Sequence, residues 1–337
     1  MMRTLITGGA GFIGSNLADR LLSQACDVTV LDNFNDYYDP SLKESNVAHN
    51  LSNPHYRLYR TDICDIDSLE TIFAQNNFDV VVHIAASAGV RASIQNPQLF
   101  VQSNIAGTVN ILETMKKHHV KKMVFASSSS VYGNCKAEKF SEDLCVSEPI
   151  SPYAATKSAC EQLLYTYSKL YDIQALCMRF FTVYGPRQRP DLAIRKFIEL
   201  IENDKPIPMY GDGNSIRDYT FIDDIIDGLM SAIDYTQTPY EIINLGGGSP
   251  IKLSEMIAVI ENVLGKKANV EALPMQQGDV DKTAADISKA AMLLNYRPNV
   301  DFESGIRKFI EWRSPNVRQR SIDAIIAGMQ QRMRKAA

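Results

Sequence analysis

Tyr153 and Lys157 are the pair of side chains in this sequence best suited to proton transfer. They stand four residues apart, so in a helix they share one face and lie one turn from each other. A free phenol has a pKa of about 10, and a neighbouring ammonium group stabilises its ionised form, which makes Tyr153 a candidate base near neutral pH. The spacing alone does not single out this pair, because two others repeat it: Tyr132 with Lys136, and Tyr165 with Lys169.

The glycine-rich segment Thr7–Gly14 is a second chemical feature, placed between a short apolar stretch and a helical pattern. Gly8 permits a tight turn, Gly11 lets the backbone approach a pyrophosphate, and Gly14 lets the helix pack closely on the strand. The free N–H groups at the start of that helix attract the anion. Asp32 ends the second predicted strand, where a carboxylate accepts hydrogen bonds from a ribose diol and repels a 2′-phosphate. The segment therefore predicts a dinucleotide site that prefers NAD to NADP.

Short β-branched runs alternate with amphipathic helical patterns through the first half of the chain. This alternation is typical of a parallel sheet covered on both faces, so we expect an α/β fold with a doubly wound, Rossmann-like parallel sheet. Long helices are predicted over Ile94–Lys117 and over about Pro152–Tyr171. Of the three paired tyrosines, Tyr153 alone begins a helix near the carboxyl edge of the sheet, where ligands bind. The serine run Ser127–Ser130 ends a predicted strand at the same edge.

The chain length of 337 residues suggests about two domains. We expect residues 1–180 to form the dinucleotide-binding domain, with later segments, about 222–250, returning to it. Residues 181–313 are expected to form mainly a smaller substrate-binding domain, because glycine- and proline-rich loops become frequent there. Residues 314–337 are predicted to be a basic helical tail that packs on the body or on a dimer partner, with a role at a membrane surface as the alternative.

Composition and charge exclude several classes of protein. A hydrophobic fraction of 45% and a net charge of −4 favour a globular protein without general attraction to nucleic acid or anionic membranes. The six cysteines are scattered and lack C-x-x-C spacing, so we expect neither a disulfide framework nor a metal site. No apolar run approaches the ~18 residues of a membrane span, and the opening apolar stretch breaks at glycines, unlike a signal peptide. A soluble, cytoplasmic protein is therefore expected.

The glycine loop, the serine run before Val131-Tyr132-Gly133 and the Tyr153–Lys157 pair resemble the extended short-chain dehydrogenase/reductase superfamily. The resemblance covers residues 1–313 and is to the branch of NAD-dependent epimerases and dehydratases that act on nucleotide sugars. It implies that Ser128 supplies a catalytic hydroxyl, Tyr153 the base and Lys157 its partner. It also implies a homodimer built through the two long helices. The cofactor-binding residues that it implies are Gly8, Gly11, Phe12, Ile13, Gly14, Asp32, Asn33, Asp62, Ile63, Ala85, Asn104, Tyr153 and Lys157.

The residues just before Val131 separate the reactions of this family. The similar 4,6-dehydratases and decarboxylases carry glutamate where this chain has Ser130, and the dehydratases carry aspartate at the position of Ser129. Hydroxyl groups have pKa values far above 7 and replace those acids and bases poorly, so both reactions are disfavoured. Oxidation and reduction at a single carbon, as in an epimerisation, remains feasible.

Several segments closely resemble UDP-glucuronate 4-epimerases, namely Asp32–Tyr38, Ala88–Arg91, Arg179–Pro186 and Arg187–Asp191. The resemblance implies reversible C4 epimerisation of UDP-glucuronate to UDP-galacturonate through a 4-keto intermediate. Because a uronate carries a carboxylate, an arginine with hydroxyl donors suits it, and Arg189, Thr182 and Ser129 are the candidates. Arg217 would hold the pyrophosphate, and Asp279 would orient Arg217 or contact ribose. The full set of implied substrate-binding residues is Arg91, Ser128, Ser129, Thr182, Arg189, Arg217 and Asp279.

Several alternatives stay open at this stage. The substrate could be a neutral UDP-hexose or UDP-N-acetylhexosamine, and less favoured functions are a dehydratase, a decarboxylase, an NADPH-consuming reductase or a redox-sensing module without turnover. Arg189 could instead touch phosphate or solvent, and Arg91 could be structural. Arg217 could form a plain salt bridge with Asp218 or Asp223.

Overall fold

The computed structural model describes residues 1–276 and 278–314. The strands of these residues are β1 Arg3–Thr7, β2 Asp27–Asp32, β3 Tyr56–Arg60, β4 Val80–His83, β5 Lys122–Ser128, β6 Gln174–Phe180, β7 Thr182–Tyr184, β8 Ile207–Tyr210, β9 Ile216–Arg217, β10 Tyr219–Phe221, β11 Tyr240–Leu245, β12 Ile251–Lys252 and β13 Val270–Leu273. The helices are α1 Phe12–Ser23, α2 Pro40–Val47, α3 Ile66–Gln75, α4 Val90–Gln95, α5 Pro97–Phe100, α6 Gly107–Lys117, α7 Pro152–Tyr171, α8 Ala193–Glu202, α9 Ile222–Asp234, α10 Leu253–Leu264, α11 Ser288–Leu294 and α12 Phe302–Arg313. Shorter helical turns span Ala48–Asn50 and Ser129–Tyr132, both 3₁₀, and Val101–Ala106, a π turn.

Seven of the strands form one sheet in the order β11-β6-β5-β4-β1-β2-β3, and every pairing in it is parallel. The order runs outward from β1 in both directions, so the predicted α/β fold with a doubly wound, Rossmann-like sheet is confirmed. The winding direction of the chain reverses between β1 and β4, so this is the topological switch point of the sheet. In folds of this kind the crevice at the switch point binds ligands. The carboxyl ends of these two strands therefore locate the region where a ligand site is expected.

The central strands are apolar at consecutive positions because both faces of the sheet are covered. Leu5 and Ile6 of β1 are both fully buried but point to opposite faces. Leu5 joins the core formed with α3, α6 and α7, whereas Ile6 joins the core formed with α1 and α9. The two cores fix the positions of the helices whose first turns face the carboxyl edge. No helix within residues 1–276 and 278–314 is both long and apolar enough to cross a bilayer.

The two long predicted helices differ in how well the structure matches them. α7 has the predicted bounds, but the helix expected to begin at Ile94 is interrupted at Asn96, where φ is −139° and ψ is 71°. Pro97 causes the break, because its ring disfavours helical backbone at the preceding residue. The side chain of Asn96 then caps the new helix by accepting a hydrogen bond from the N–H of Leu99, at 3.3 Å. From α5 the helical path continues through the π turn to the end of α6.

Beyond β6 the chain forms three small two-stranded sheets, which pair β7 with β10, β9 with β12 and β8 with β13. β11 returns to the edge of the main sheet beside β6. The division of the chain into a dinucleotide domain and a substrate domain at residue 180 stays a prediction. The expected helical tail of residues 315–337 lies outside the described residues.

Candidate active site

The glycine-rich loop between β1 and α1 forms a narrow backbone cradle. Gly8 has a φ of 71°, a conformation that side chains with a Cβ rarely adopt. A Cβ added to Gly14 would overlap the carbonyl oxygen of Gly8. Gly11 is the N-cap residue of α1 and has no side chain that could accept a hydrogen bond. The N–H groups at the helix start, near Phe12 and Ile13, therefore have no side-chain cap. Such a helix start can bind a pyrophosphate.

Asp32, at the end of β2, lies beside this cradle and supports it. Its carboxylate accepts hydrogen bonds from the backbone N–H groups of Ala10, at 3.1 Å, and Phe34, at 2.9 Å. Burial raises the pKa of Asp32, whereas Lys43, whose Nζ lies 3.9 Å away, and the two N–H groups lower it. Asp32 thus holds the glycine loop in shape from the position predicted for ribose binding. Lys43 was missed by sequence reasoning, since nothing in its local sequence indicates that it is buried.

The other predicted residues on this side of the sheet, Asn33, Asp62 and Ile63, lie just after the ends of β2 and β3. Asn33 donates a hydrogen bond to the carboxylate of Asp62, at 2.8 Å, and Asp62 also accepts one from the N–H of Cys64. Ile63 is buried and packs against Gly107 at the start of α6. These contacts place the three predicted residues next to Asp32, where they could meet the adenosine half of a dinucleotide.

Asn104 connects the loop after β4 to α7. Its side chain accepts from the N–H of Ser87, at 2.8 Å, and donates to the carbonyl of Ser87 and the hydroxyl of Thr156, both at 3.0 Å. It lies in the π turn Val101–Ala106, where the changed hydrogen-bond spacing turns the side chain towards the site. Ala85, which opens the same loop, packs with its backbone against Gly8. Asn104 therefore fixes the loop that separates the glycine cradle from α7.

Tyr153 lies in the first turn of α7, which starts at the carboxyl edge because Ser151 caps it. The Ser151 hydroxyl accepts a hydrogen bond from the N–H of Ala154, at 3.2 Å. Tyr153 is half-buried beside Ser128, the last residue of β5. Burial raises the pKa of the phenol, whereas a hydrogen bond with the Ser128 hydroxyl and the positive charge of Arg189 lower it. The phenol can therefore exchange a proton next to a fixed hydroxyl and a cation.

Lys157 lies one turn further along α7 and is 3% exposed. Its ammonium donates a hydrogen bond to the carbonyl of Ala126 in β5, at 2.8 Å, and burial lowers its pKa to about 8. This arrangement modifies the expectation that Lys157 acidifies the phenol of Tyr153. The hydrogen bond of the lysine is directed at the sheet, and the influences that lower the pKa of the phenol come from Ser128 and Arg189.

The two other tyrosine–lysine pairs have structural surroundings. The Tyr132 hydroxyl donates to the Asn244 side chain, at 2.8 Å, and its lysine partner forms a surface ion pair with Asp281. Tyr165 is 49% exposed, with Lys169 over its ring. Among the three pairs, the structure places the one at Tyr153 beside the serine run and the loop of Asn104.

The three candidates for a carboxylate site lie at the start of β7, in the loop after β7 and directly after β5. Arg189 donates two hydrogen bonds to Asp191, at 3.0 and 2.7 Å, and a third to the carbonyl of Ala88, at 3.3 Å. Thr182 starts β7, and Ser129 follows Ser128 directly, each with its side chain half-buried. The acid that holds Arg189 was not among the predicted residues, although its position two residues on is visible in the sequence.

The remaining predicted substrate residues are arranged differently from the expectation. Asp279 pairs with Arg91, at 3.2 Å, rather than with Arg217, so it does not orient Arg217 here. Arg217 donates to backbone carbonyls, including its own neighbour Ile216 at 2.9 Å. Asp218 is fully buried and accepts from the backbone N–H groups of Gly247, after β11, and Ala285, before α11, so the alternative of an Arg217–Asp218 salt bridge is not formed. The Arg217 charge therefore remains available to an anionic ligand.

Histidines and cysteines of the described residues have structural positions. His83 in β4 is fully buried and hydrogen-bonds with the hydroxyls of Thr7 and Thr108, and burial lowers its pKa to about 3. All six cysteines are free thiols. Residues 1–276 and 278–314 contain no group of three histidine, cysteine or acidic side chains that could hold a metal ion.

A family model and several known proteins match this chain over most of its length. A family model described as GDP-mannose 4,6 dehydratase matches residues 5–309. A UDP-glucuronate 4-epimerase of Thermodesulfobacterium geofontis is 45% identical over 314 residues, which are 93% of this chain and 96% of that protein. A UDP-glucuronate 4-epimerase 1 of Arabidopsis thaliana is 40% identical over 91% of this chain and 76% of its own.

Two solved structures share the whole architecture. The structure of UDP-glucuronic acid 4-epimerase from Bacillus cereus, in complex with UDP-glucuronic acid and NAD, is 38% identical with a TM-score of 0.87, and the match covers 92% of this chain and 98% of that one. UDP-glucose 4-epimerase from Thermus thermophilus, in complex with NAD, is 32% identical with a TM-score of 0.84 over the same shares. The chain therefore belongs to the epimerase/dehydratase family of extended short-chain dehydrogenases/reductases, as its glycine loop, serine run and Tyr153–Lys157 pair predicted.

Proposed function

We propose that this protein is an NAD-dependent enzyme that interconverts UDP-glucuronate and UDP-galacturonate by reversible epimerisation at C4. The observation that carries the proposal is the position of Arg189, a cation close enough to Tyr153 to lower the pKa of its phenol. A base and a carboxylate-binding cation at one place suit a sugar that has a hydroxyl at C4 and a carboxylate at C6. The UDP-glucuronate 4-epimerases named above act on such a sugar.

NAD is the proposed cofactor because the residues present fit its parts. The close backbone packing at Gly8 and Gly14, which a Cβ would disrupt, leads into the start of α1, whose N–H groups have no side-chain cap and suit a pyrophosphate. Asp32 and Asn33 lie where the ribose of the adenosine half would bind, and Asn104, Tyr153 and Lys157 lie on the opposite side of the glycine loop. When bound, NAD accepts a hydride and returns it, so no net NADH accumulates.

Tyr153 performs the proton transfers in this mechanism. Its phenolate oxygen takes the proton of the 4-hydroxyl while the C4 hydrogen leaves as hydride, which produces a 4-keto sugar. The Ser128 hydroxyl accepts a hydrogen bond from the N–H of Ser130, at 3.2 Å. So positioned, it steadies the reacting oxygen. After the keto sugar turns to present its other face, the hydride returns to C4 and Tyr153 returns the proton to O4.

The residues around the sugar decide which reaction follows oxidation. Ser129 and Ser130 offer hydroxyls that neither remove the C5 proton nor protonate a departing group, so the 4-keto sugar is reduced again rather than dehydrated. Arg189, Thr182 and Ser129 bind the carboxylate and release it while the sugar turns. Arg217 holds the diphosphate throughout, and Asp279, which is paired with Arg91, contacts the ribose of the nucleotide.

Incubation with UDP-glucuronate tests the proposal directly. We expect NMR to show UDP-galacturonate forming until both sugars reach equilibrium, with no change in absorbance from NADH. UDP-glucose and UDP-N-acetylglucosamine serve as matched substrates without the carboxylate and should turn over far more slowly. Faster turnover of either neutral sugar would refute the carboxylate assignment, and stoichiometric NADH or NADPH consumption would refute the epimerase.

We also propose a cytoplasmic homodimer, in which residues 1–180, with segments of about 222–250 returning to them, carry the cofactor and residues 181–313 form mainly the substrate-binding part. Apolar side chains on the helical path around α5 and on α7 remain about half exposed or more, which suits a contact between these helices and those of a second copy. They are Leu99, Val101, Tyr165 and Leu170. Sedimentation of the full chain should give a species of twice the chain mass, and a monomer at micromolar concentration would exclude this assembly.

A further inference from the structure

Arg189 is held from three sides, and one of them is an aromatic ring. Asp191 binds the guanidinium through two hydrogen bonds, and Ala88 accepts a longer one at 3.3 Å. The third neighbour is Tyr37, whose ring centre lies 5.1 Å from the guanidinium carbon. A guanidinium over a ring face at this distance forms a cation–π contact. Asp191 belongs to the same loop as Arg189, so Tyr37 and Ala88 are the contacts that fix the guanidinium relative to the main sheet.

Tyr37 is itself tied to the dinucleotide side of the site. Its N–H donates to the Asn35 side chain, at 3.3 Å, and the same oxygen accepts from Lys43, at 3.0 Å. Asn35 in turn donates to the Asn33 side-chain oxygen through its N–H and its amide, at 3.1 and 3.0 Å. Asn33 binds Asp62. A continuous series of hydrogen bonds therefore joins the predicted ribose-binding residues to the residue whose ring lies under Arg189.

The ring of Tyr37 also contacts the loop after β4. Its hydroxyl oxygen lies 3.1 Å from the position that a Cβ on Gly89 would occupy, and Gly89 has a φ of 132°. The ring is therefore enclosed between the loop of residues 88–89 and Arg189, although the residue as a whole is 44% exposed. Replacing Tyr37 by a side chain of another shape would therefore change the position of the Arg189 guanidinium as well as its exposure to solvent.

We propose that Tyr37 is a positioning residue that sets Arg189 for the substrate carboxylate and couples the dinucleotide-side loop to the sugar site. The inference rests on the proposed function and deepens it. Tyr37 touches no reacting atom and acts through Arg189. Because the charge of Arg189 also acts on Tyr153, a displaced guanidinium weakens carboxylate binding and alters the ionisation of the phenol together.

The test compares Tyr37→Leu, which removes the ring, with Tyr37→Phe, which keeps it, in the full chain with NAD bound. For Tyr37→Leu we expect KM for UDP-glucuronate to rise about threefold to tenfold, the size of a partly exposed cation–π contact. The acidic limb of its kcat/KM–pH profile should move to higher pH, because the phenol loses part of the Arg189 charge. Tyr37→Phe should stay within about twofold of the wild type in both measurements. The affinity for UDP, which has no carboxylate, should not change in either variant.

A double-mutant cycle decides whether Tyr37 acts through Arg189. In an Arg189→Ala background, Tyr37→Leu should have no further effect on KM or on the pH profile, because the ring no longer has a partner. An equal effect in both backgrounds, or a Tyr37→Leu enzyme with wild-type KM, overturns the inference. If Tyr37→Leu loses NAD or does not fold, Tyr37→Met serves as the second ring-free variant.

Calorimetric binding of UDP-glucuronate separates this inference from the proposed function. Weaker binding by Tyr37→Leu than by Tyr37→Phe supports the role of Tyr37 even in a protein that does not epimerise the ligand. Epimerisation with identical affinities and pH profiles in all variants leaves the proposed function intact and refutes the role of Tyr37.

Discussion

In the proposed mechanism the phenol of Tyr153 gains and loses a proton in each cycle, and its surroundings act on that proton in opposite directions. Burial favours the neutral phenol, whereas Ser128 and Arg189 favour the phenolate. The competing effects allow a group with an ordinary pKa of about 10 to serve as a base when ligands complete the site. At this scale the sequence alone proposes Tyr153 as the reacting residue, but its electrostatic environment comes from residues far apart in the chain.

Tyr153→Phe removes the proton acceptor and keeps the ring. We expect kcat to fall by about 10²–10⁴-fold while UDP-glucuronate still binds, because general base catalysis is typically of that size. NMR gives the turnover and calorimetry the affinity. Tyr165→Phe is the matched control, since it deletes the same hydroxyl from an exposed position three turns further along α7 and should keep full activity. Equal loss of activity in both variants would show that Tyr153 has no special role.

Lys157 gives the stability of the protein a defined pH dependence. Burial lowers its pKa to about 8 in the folded protein, below the 10.5 of the free side chain. Between these values the unfolded chain binds more protons at this position, so this group makes the free energy of unfolding rise with pH, by at most about 1.4 kcal/mol per pH unit. Below pH 8 both states are protonated and the contribution is flat.

Urea unfolding of wild type and Lys157→Met, both in the same cofactor state, measures this effect. The difference between the two proteins should be constant below about pH 7.5 and should change in favour of the wild type from about pH 8 to pH 10. A pH-independent difference across that range would contradict the depressed pKa of Lys157.

At the scale of elements, the first turn of α7 controls where Tyr153 points. Ser151 is buried and its hydroxyl satisfies the N–H of Ala154. Ser151→Ala should lower the free energy of unfolding by about 1 kcal/mol and should also reduce kcat, because the frayed turn no longer holds the phenol against Ser128. Ser151→Thr keeps an accepting oxygen and is the control in urea unfolding and turnover assays. An unchanged stability of Ser151→Ala would mean that the cap is not needed.

Elements could be predicted where local chemistry decides them. The strands of the main sheet and α7 follow from apolar runs, proline and capping residues, and β1 lies close to its predicted place. The predicted start of the helix over Ile94–Lys117 was wrong, because the apolar periodicity that begins at Ile94 continues past a proline that interrupts the helix. The π turn around Asn104 was not predicted, and the Asn104 carbonyl in it accepts hydrogen bonds both from Thr108, four residues further on, and from Cys160 of α7, which only the fold brings close.

For the whole molecule, the sequence predicted the backbone geometry on the proposed cofactor side better than the contacts among the proposed substrate residues. The glycine cradle is formed by residues close in sequence, so its geometry is largely local. Most of the proposed substrate residues come from α4, from β7 and the loop after it, from β9 and from the region near 279, so pairings such as Arg91 with Asp279 depend on how distant segments meet. Tyr37 under Arg189 is a contact of the same kind, 152 positions apart in the chain (189 − 37).

Binding of the dinucleotide should stabilise the entire protein. We expect NAD at about 100 times its dissociation constant to raise the free energy of unfolding of the stripped protein by about 2.7 kcal/mol. NADP at the same concentration should give a smaller increase, because Asp32 repels a 2′-phosphate. Thermal unfolding with each dinucleotide measures the difference, and adenosine diphosphate is the control for binding of the adenosine diphosphate half without the nicotinamide half. Equal stabilisation by NAD and NADP would contradict the role of Asp32.

The two backbone hydrogen bonds that Asp32 accepts limit how this enzyme can be redesigned. A protein engineer who wants it to run on the phosphorylated dinucleotide would begin by replacing that carboxylate with a small neutral residue. The exchange would also release Ala10 and Phe34, so the loop that should receive the new coenzyme would lose its shape. Switching coenzyme therefore requires a substitute that still offers oxygen to both amides, or a second change elsewhere in the loop that takes over their support.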